Sequence, residues 1–506
     1  MAAAARARSY PSERRARVAS ILSRIAEQCG ILDSSRGPLE RFSRPGSIVV
    51  VAGQQPGLFG GPLYTLYKLM TAASLAREIE ASTGVPTVAV FWIASDDHDF
   101  EEVRTTYVSD GGVEPTPLSY PAEAAPRGVS VARIRFGPAV EALVRSAESL
   151  APPSPFRDSV LSRLKAAYAP GRCFAEAFAR FVAPIAASEG VLLFDASDEE
   201  AKATAMPIFE REVALGGATS AAAKERGEAL TAAGYHAQIG RVGNELNLFW
   251  HGREREAVRV TESGAFRLAT SGQELTASKL MALIRNRPAD VSPGVLLRPL
   301  VQDYLFPTAA YVGGPAEVAY WAQVYALYPL FDVEPPAIAP RAGATLLEPR
   351  VARVLERFHL EWAALAGDAE TAVQAGLRAI LPDDFGTLFS RERGELEAVF
   401  GRLRGAVTAF DPSLEAAVTT TGNRIEREIE GLEKKLMHVW KRRQEESVQQ
   451  IRRAHGHLFP HGGLQERTVS LLGLASRYGP PFFEHLRASL GKPGSHTLIP
   501  LGVSDE

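Results

Sequence analysis

Short apolar runs alternate with helical periodicity along the first half of the chain. The runs at 47–52, 87–94 and 191–197 are rich in Val, Ile, Leu and Phe, as is typical of strands buried on both faces. Between the first two runs, apolar residues from 63 to 82 follow the helical period. A strand, a helix and a second strand in this order indicate a parallel sheet with right-handed crossovers. The pattern therefore predicts an α/β fold with a Rossmann-like core.

Segments of other character interrupt this core. NELNLFW (244–250) and AVRVT (257–261), with a turn at Ser263–Gly264, predict an antiparallel hairpin. VSVARIRF (129–136) lies in a stretch punctuated by Pro and Gly, and it predicts a short β-like piece within an insertion. The predicted sheet is therefore mixed and carries inserted segments.

The tail from about 387 to 455 is rich in charge, and its apolar residues follow a heptad. The seam positions, which step by four and three residues, are Ile425, Ile429, Leu432, Leu436 and Val439. Asp411–Pro412 interrupts the pattern, so two helices would form an antiparallel hairpin. A long amphipathic helix packed on its own domain is the alternative. We expect a coiled coil and, through it, a homodimer.

The length of 506 residues predicts more than one structural unit, because single cores rarely grow beyond about 250–300 residues. We predict a Rossmann-like core over 1–386, a helical coiled-coil domain over 387–456, and a segment over 457–506 that returns to the core. Within the core we expect an insertion at about 110–187 and a smaller one at about 220–290.

Composition narrows the class of protein. Apolar residues make up 46% and charged residues 23%, and the net charge of −3 gives no reason to expect nucleic-acid or anionic-membrane binding. No apolar run approaches the about 18 residues that a membrane-spanning helix requires. The two cysteines, Cys29 and Cys173, form no CxxC pattern, which favours a reducing cytoplasm over a disulfide framework. The basic, Ala-rich start lacks the apolar segment of a targeting peptide, so we expect a frayed end that leads into a surface helix.

A Gly-rich stretch, GQQPGLFGGPLYTLYK (53–68), follows the first predicted strand. It matches neither GxGxxG nor GxxxxGK[ST], yet it lies before a helix N-terminus, where free N–H groups favour an anion. Tyr64 and Lys68 share a helix face, and the glutamines suit a small polar substrate. A purely structural turn is the alternative. The predicted binding residues are Gly53, Gln54, Gln55, Gly60, Gly61, Tyr64 and Lys68.

SDDHDFEEV (95–103) follows the second predicted strand, at the edge of the sheet where α/β proteins bind ligands. A histidine among carboxylates can act as a general base near neutral pH, and the same group could bind Mg²⁺. The alternative is a solvated acidic turn that caps a helix. The predicted catalytic residues are Asp96, Asp97, His98 and Asp99.

A third stretch, LRPLVQDYLFPTAAYVGGPAEVAYW (297–321), sets polar residues among apolar ones. Its Gly-Gly-Pro sequence repeats that of 60–62, which suggests two sides of one cleft. The predicted substrate-binding residues here are Arg298, Gln302, Asp303, Gly313, Gly314, Glu317 and Tyr320. Further on, His455, His457 and His461 have a spacing that could serve a metal. No cysteine or acid joins them before Glu466, so we predict no metal site there.

These stretches, together with LFPHGGLQER (458–467), resemble in order the bacillithiol-biosynthesis cysteine-adding enzymes, the BshC family. The resemblance implies a nucleotidyltransferase-like Rossmann core and a dimer-forming coiled coil. It also implies a ligase that adds cysteine to the amine of glucosaminyl-malate in the last step of bacillithiol synthesis. ATP would activate the cysteine carboxyl, and His98 would take the amine proton. The fold also resembles enzymes that form aminoacyl adenylates, although no clear HxGH or KMSKS-like motif is present.

Two other functions fit the same residues. A metal-dependent nucleotide-sugar transferase would use Asp96–Asp99 as a DxD-like site for Mn²⁺ or Mg²⁺. A non-catalytic coiled-coil dimer would use the Rossmann-like core only to bind a small metabolite.

Overall fold

The computed structural model describes residues 9–109, 112–126, 128–240, 243–382, 385 and 387–502. Two compact units divide the chain. The segments of the first unit are Met1–Asp110, Thr116–Thr345 and Glu466–Ile499. The segments of the second unit are Gly111–Pro115, Leu346–Gln465 and Pro500–Glu506. No helix formed by the described residues is long and apolar enough to cross a membrane.

The strands and helices are numbered in chain order. The strands are β1 (Ile48–Gln54), β2 (Thr87–Ile93), β3 (Thr105–Val108), β4 (Thr116–Ser119), β5 (Val191–Asp195), β6 (Glu245–His251), β7 (Arg255–Val260), β8 (Phe266–Leu268), β9 (Glu274–Leu275), β10 (Val291–Pro293), β11 (Thr308–Gly313), β12 (Ala337–Pro340), β13 (Gly343–Leu347) and β14 (His496–Pro500). The helices are α1 (Ser12–Gln28), α2 (Leu32–Ser43), α3 (Leu63–Thr83), α4 (Phe100–Val103), α5 (Ala139–Leu150), α6 (Arg157–Ala167), α7 (Phe174–Ser188), α8 (Glu199–Thr204), α9 (Met206–Leu215), α10 (Ala218–Ala232), α11 (Ala277–Asn286), α12 (Arg298–Leu305), α13 (Pro315–Val324), α14 (Pro349–Arg357), α15 (Ala369–Ala379), α16 (Leu388–Phe410), α17 (Glu415–Arg443), α18 (Glu445–Leu458), α19 (Gln465–Thr468) and α20 (Leu471–Ser489).

The first unit is built on a parallel sheet with the strand order β12-β11-β1-β2-β5. If the five strands are numbered by their order in the chain and read from the β5 edge, the sheet order is 3-2-1-4-5, which is the Rossmann order. β1 and β2 are buried on both faces, as their apolar sequences predict. The predicted Rossmann-like α/β core is therefore confirmed. The strand order reverses between β1 and β11, and this is the position at which such sheets form a ligand crevice.

A second sheet, with the order β10-β6-β7-β8-β9, is antiparallel. The predicted hairpin is present as β6 and β7, while the turn at Ser263–Gly264 connects β7 to β8. The prediction of a β-like piece at 129–136 was wrong. Val131–Arg133 forms a 3₁₀ turn because the amides of Val131 and Ala132 donate to carbonyls of the loop after β2.

The second unit contains the two longest helices, α16 and α17, joined by a short connection at 411–414. Arg393, near the start of α16, pairs with Glu433 in the second half of α17 at 2.8 Å, so the helices run antiparallel. Neither helix has a buried residue. On the predicted seam, Leu432 is 59% exposed and Val439 is 46% exposed. The predicted coiled-coil fold is confirmed. Leu432 and Val439 of the seam are exposed in the single chain, and the other three seam residues are partly buried.

Candidate active site

A cavity of about 520 Å³ lies at the carboxyl ends of the strands where the sheet order reverses. Predicted site residues that line it are Gly53, Gln54, Gln55, Tyr64, Lys68, Asp96, Asp97, Arg298, Gly314, Glu317 and Tyr320. Lining residues that the sequence did not single out include Glu102, Phe249, Arg255, Tyr311, Arg341 and Arg467. Residues from both Gly-Gly-Pro stretches (53–68 and 297–321) and from the acidic stretch 95–103 thus line one cavity.

Lys68 and Glu317 form an ion pair in the wall of this cavity, with side chains 4% and 21% exposed. Lys68 Nζ also donates to the Gly53 carbonyl at 2.9 Å and to Gln54 Oε1 at 2.8 Å. Glu317 accepts from the Gly314 amide at 2.7 Å and from the Tyr311 hydroxyl. Burial alone would raise the pKa of Glu317, but the Lys68 charge and these hydrogen bonds lower it. Glu317 therefore stays ionised and neutralised by Lys68.

Arg298 is a cation without a carboxylate partner among the described residues. Its guanidinium donates to Gln302 Oε1 at 3.0 Å and to the Tyr320 hydroxyl at 3.3 Å, and it lies 5.2 Å from the centre of the Tyr311 ring. Arg467 lines the same cavity, is exposed, and likewise has no ion-pair partner in the described part of the chain. These two arginines are available to an anionic ligand.

Arg341 also lines the cavity, but its charge is paired with a carboxylate of the protein. Its guanidinium forms a two-point contact with Glu466, with one nitrogen to oxygen distance of 2.9 Å, and both side chains are almost fully buried. This fork geometry satisfies the Glu466 carboxylate. Arg341 therefore shapes the cavity and adds little free charge to it.

The acidic side of the cavity is organised by Gln55. Its amide donates to Asp97 Oδ2 at 2.7 Å, and its side chain also lowers the pKa of Glu102. Burial would raise the pKa of Asp97, yet the Arg255 charge and the hydrogen bonds from Gln55 and from the His98 backbone amide lower it. The pKa of Glu102 is raised, first by burial and then by two nearby aspartates. Two neighbouring carboxylates thus differ in proton affinity.

Asp96 is held by a lysine that the sequence did not indicate. Lys202 Nζ, on α8, donates to Asp96 Oδ1 at 2.7 Å, and both side chains are buried. The other carboxylate oxygen, Asp96 Oδ2, is buried and accepts no hydrogen bond. Because a buried carboxylate needs a counter-charge, Lys202 keeps the end of β2 in place.

His98 lies outside the cavity lining, with its side chain 48% exposed. Arg255 Nη1 lies 3.0 Å from His98 Nδ1, while Asp97 Oδ1 is more distant from the same nitrogen at 3.4 Å. A guanidinium can only donate hydrogen bonds, so Nδ1 accepts one and the ring proton is on Nε2. Arg255 is itself fixed, because it lies on the Phe249 ring and donates to the Ser292 hydroxyl.

The remaining predicted residues do not line the cavity. Gly60 and Gly61 belong to the turn before α3, Gly313 ends β11, and Asp99 caps α4 by accepting from the Glu102 amide. Gln302 donates to Asp303, and Asp303 accepts from the Tyr328 hydroxyl, so both serve a buried network behind Arg298. Among the described residues, no group of three or more His, Cys, Asp or Glu side chains is placed to hold a metal ion.

The chain resembles known families over nearly its whole length. Residues 2–342 match the family described as bacillithiol biosynthesis BshC, N-terminal Rossmann-like domain, and residues 344–500 match its C-terminal coiled-coil domain. A relative from Salinibacter ruber named "Putative cysteine ligase BshC" is 36% identical and covers 97% of this chain and 89% of its own. Relatives of the same name from Geobacillus thermodenitrificans and Koribacter versatilis are 32% and 31% identical, over 91% and 97% of this chain and 86% and 90% of theirs.

Proposed function

Since this chain belongs to the BshC family of bacillithiol biosynthesis, we propose that it is a ligase that joins the cysteine carboxyl to the amine of glucosaminyl-malate. The product amide would complete bacillithiol synthesis. One observation links the proposal to the site. The same cavity is lined by two arginines that have no carboxylate partner among the described residues, Arg298 and Arg467, and by the carboxylates of Asp97 and Glu102.

This charge arrangement suits the two organic substrates. Cysteine carries an ammonium and a carboxylate, and glucosaminyl-malate carries an amine and the carboxylates of its malate. Arg298 and Arg467 would bind carboxylates, because guanidinium forks match carboxylate geometry. Asp97 and Glu102 would bind the amines. The volume of about 520 Å³ is typical of small-molecule sites.

Amide formation in water requires an activated carboxyl group, and we propose ATP as the co-substrate that supplies it. The same unpaired arginines fit an anion that carries phosphate groups. Mg²⁺ would enter as the counter-ion of the nucleotide, and we assign no protein ligands to it. The protein would then hold the activated cysteine and the acceptor amine close together, which removes much of the entropic barrier.

We also propose that two copies associate through the coiled coil. Large apolar side chains are exposed on both hairpin helices: Val399, Leu403, Phe410, Leu432 and Val439. Apolar patches of this kind mark interaction surfaces, and a second copy of the same seam is its simplest complement. The reaction would take place in the cytoplasm, where the reducing environment keeps the thiol of cysteine free.

Thiol analysis of a strain that lacks the gene tests the proposed function. We expect bacillithiol to disappear and glucosaminyl-malate to accumulate. A plasmid copy of the wild type should restore the thiol, whereas the variant with both Arg298→Met and Arg467→Met should not. Arg145→Met, on an exposed arginine of α5, is the matched control and should restore it. Normal bacillithiol in the deletion strain would refute the proposal.

A further inference from the structure

The acceptor amine must lose a proton before it can attack the activated carboxyl. A general base must reach that amine inside the cavity and be able to hold a proton. The carboxylates that line the cavity belong to Asp96, Asp97, Glu102 and Glu317, and His98 lies at its edge. The contacts of each group decide which one can do this.

Three of these groups are already committed. Glu317 is neutralised by Lys68 and accepts two further hydrogen bonds. Asp96 has one oxygen on Lys202, and its other oxygen is buried from any ligand. His98 does not line the cavity, and its Nδ1 accepts a hydrogen bond from Arg255.

Asp97 and Glu102 remain, and their surroundings differ. Asp97 accepts hydrogen bonds on both oxygens, from the Gln55 amide and from the His98 backbone amide, each at 2.7 Å. Such a carboxylate is a poor proton acceptor, and its pKa is correspondingly low. Glu102 is exposed to the cavity and has a raised pKa. When the surroundings of two neighbouring acids give them different pKa values, one commonly binds the substrate as an ion and the other exchanges a proton with it.

We propose that Glu102 takes the proton of the acceptor ammonium while Asp97 holds that group in place. This inference rests on the proposed function. In the step, the Glu102 carboxylate takes one proton, and the neutral amine forms the nitrogen–carbon bond with the activated cysteine carbonyl. The bond from that carbon to its phosphate-bearing leaving group breaks, and the leaving group keeps the electron pair. The second amine proton passes to water, as does the proton on Glu102.

The charged and titratable groups near Glu102 come from three other segments of the chain. Asp97 and Asp99, in the loop before α4, raise the pKa of Glu102, and Lys68, on α3, lowers it. Tyr64 lies on the same face of α3, and Arg467 lines the same cavity. Gln55 also lowers the pKa of Glu102, but burial and the two aspartates together outweigh Gln55 and Lys68, so the net shift is upward. We therefore expect the Glu102 carboxylate to take up a proton at a higher pH than an ordinary glutamate does.

Steady-state kinetics of the full chain with cysteine, glucosaminyl-malate and ATP–Mg²⁺ test this assignment. Glu102→Gln should lower kcat near neutral pH by about 10²- to 10⁴-fold, with little change in the KM for glucosaminyl-malate. Its defect should shrink above the pKa of the acceptor amine, because free amine is then abundant. Asp97→Asn should chiefly raise the KM. Glu102→Asp, which keeps a carboxylate, should recover part of the rate.

Glu101 is the matched control, because it is adjacent on the same helix, pairs with Arg104 and does not line the cavity. Glu101→Gln should have wild-type kinetics. If Glu102→Gln keeps the wild-type rate, or loses the same factor at every pH, Glu102 is not the base. If the wild-type chain itself forms no amide, it is the proposed function that fails, so the two failures are distinguishable.

Discussion

Lys68 on α3 and Glu317 on α13 form a buried ion pair across β1 and β11, the two strands between which the order of the parallel sheet reverses. Each side chain also binds the backbone at or just after the end of one of these strands, Lys68 at Gly53 of β1 and Glu317 at Gly314 after β11. The pair therefore joins the ends of these two strands at the cavity. We expect it to hold the geometry of the site as well as to line it.

Breaking this pair should destabilise the protein. Lys68→Met leaves the partly buried Glu317 without its counter-charge, which should lower the free energy of unfolding by about 3 kcal/mol, the lower end for a broken buried pair. Urea unfolding followed by tryptophan fluorescence measures the change. Arg17→Met breaks an exposed pair, with side chains 57% and 78% exposed, and should lower it by about 0–1 kcal/mol. Equal unfolding midpoints for the wild type and Lys68→Met would contradict this role.

The same pair predicts a pH dependence of stability. The folded-state pKa of Glu317 is lowered from an ordinary value of 4.5, so its contribution is complete above pH 4.5 and is lost as the pH falls through the folded pKa. The wild type should therefore lose stability in this acid range more steeply than Glu317→Gln. Thermal melts of the two proteins over the same pH series check this. Parallel curves would show that Glu317 does not titrate with a lowered pKa.

Arg298 and Arg467 should control affinity for the carboxylate-bearing acceptor. Because each lacks a carboxylate partner among the described residues, replacing either by Met removes ligand contacts without leaving an unpaired acid. Each substitution should raise the Kd for glucosaminyl-malate by about tenfold or more, as expected for charged hydrogen bonds worth about 1.5–3 kcal/mol. Calorimetric titration measures this, and Arg145→Met should bind like the wild type. An unchanged Kd in both variants would exclude these arginines from the acceptor site.

The loop after β1 should not tolerate a side chain at Gly57. A Cβ there would lie 2.8 Å from the Gly61 Cα, so the Gly60–Gly61 turn before α3 would have to shift. Gly57→Ala should lower the free energy of unfolding by about 1–3 kcal/mol and reduce ligation. Gly394→Ala, on α16 with open space around it, should be neutral or stabilising by up to about 1 kcal/mol. Similar stability of the two variants would show that the close approach does not matter.

The coiled-coil seam predicts the oligomeric state. Leu432→Glu together with Val439→Glu places charge on the exposed seam and should convert the dimer into a monomer. Thr421→Glu with Asn423→Glu adds the same charge at exposed polar positions of α17 and should leave the dimer intact. Sedimentation equilibrium distinguishes the two states. A monomeric wild type, or a dimeric seam variant, would contradict association through this seam.

The sequence predicted correctly the strands of the core that are buried on both faces. β1, β2 and β5 are apolar on both faces, so their runs identify them directly. The pairing of β1 with β11 could not be predicted, because it joins segments far apart in the chain. The stretch 129–136 has strand-like composition, but its amides bond to the loop after β2, a tertiary contact that composition does not record.

The site was predicted less completely. Gln302 and Asp303 stand out as polar residues among apolar ones, but they hydrogen-bond to each other in a buried network. A buried network and a ligand site produce the same pattern in the sequence, so the sequence could not distinguish them. Arg255 reaches the acidic loop from an inserted hairpin, so no spacing relates it to His98. Glu102 follows the predicted catalytic residues by only three positions, but its place in the cavity lining depends on tertiary packing that the local sequence does not record.

The central claim is that this cavity forms an amide between cysteine and glucosaminyl-malate. Its most direct test is mass spectrometry of a reaction that contains the purified full chain, both substrates and ATP–Mg²⁺. The account predicts a product with the mass of cysteine plus glucosaminyl-malate minus one water, formed by the wild type and lost in the Arg298→Met, Arg467→Met double variant. If the folded wild type leaves cysteine and glucosaminyl-malate unjoined while ATP is present, the account is contradicted.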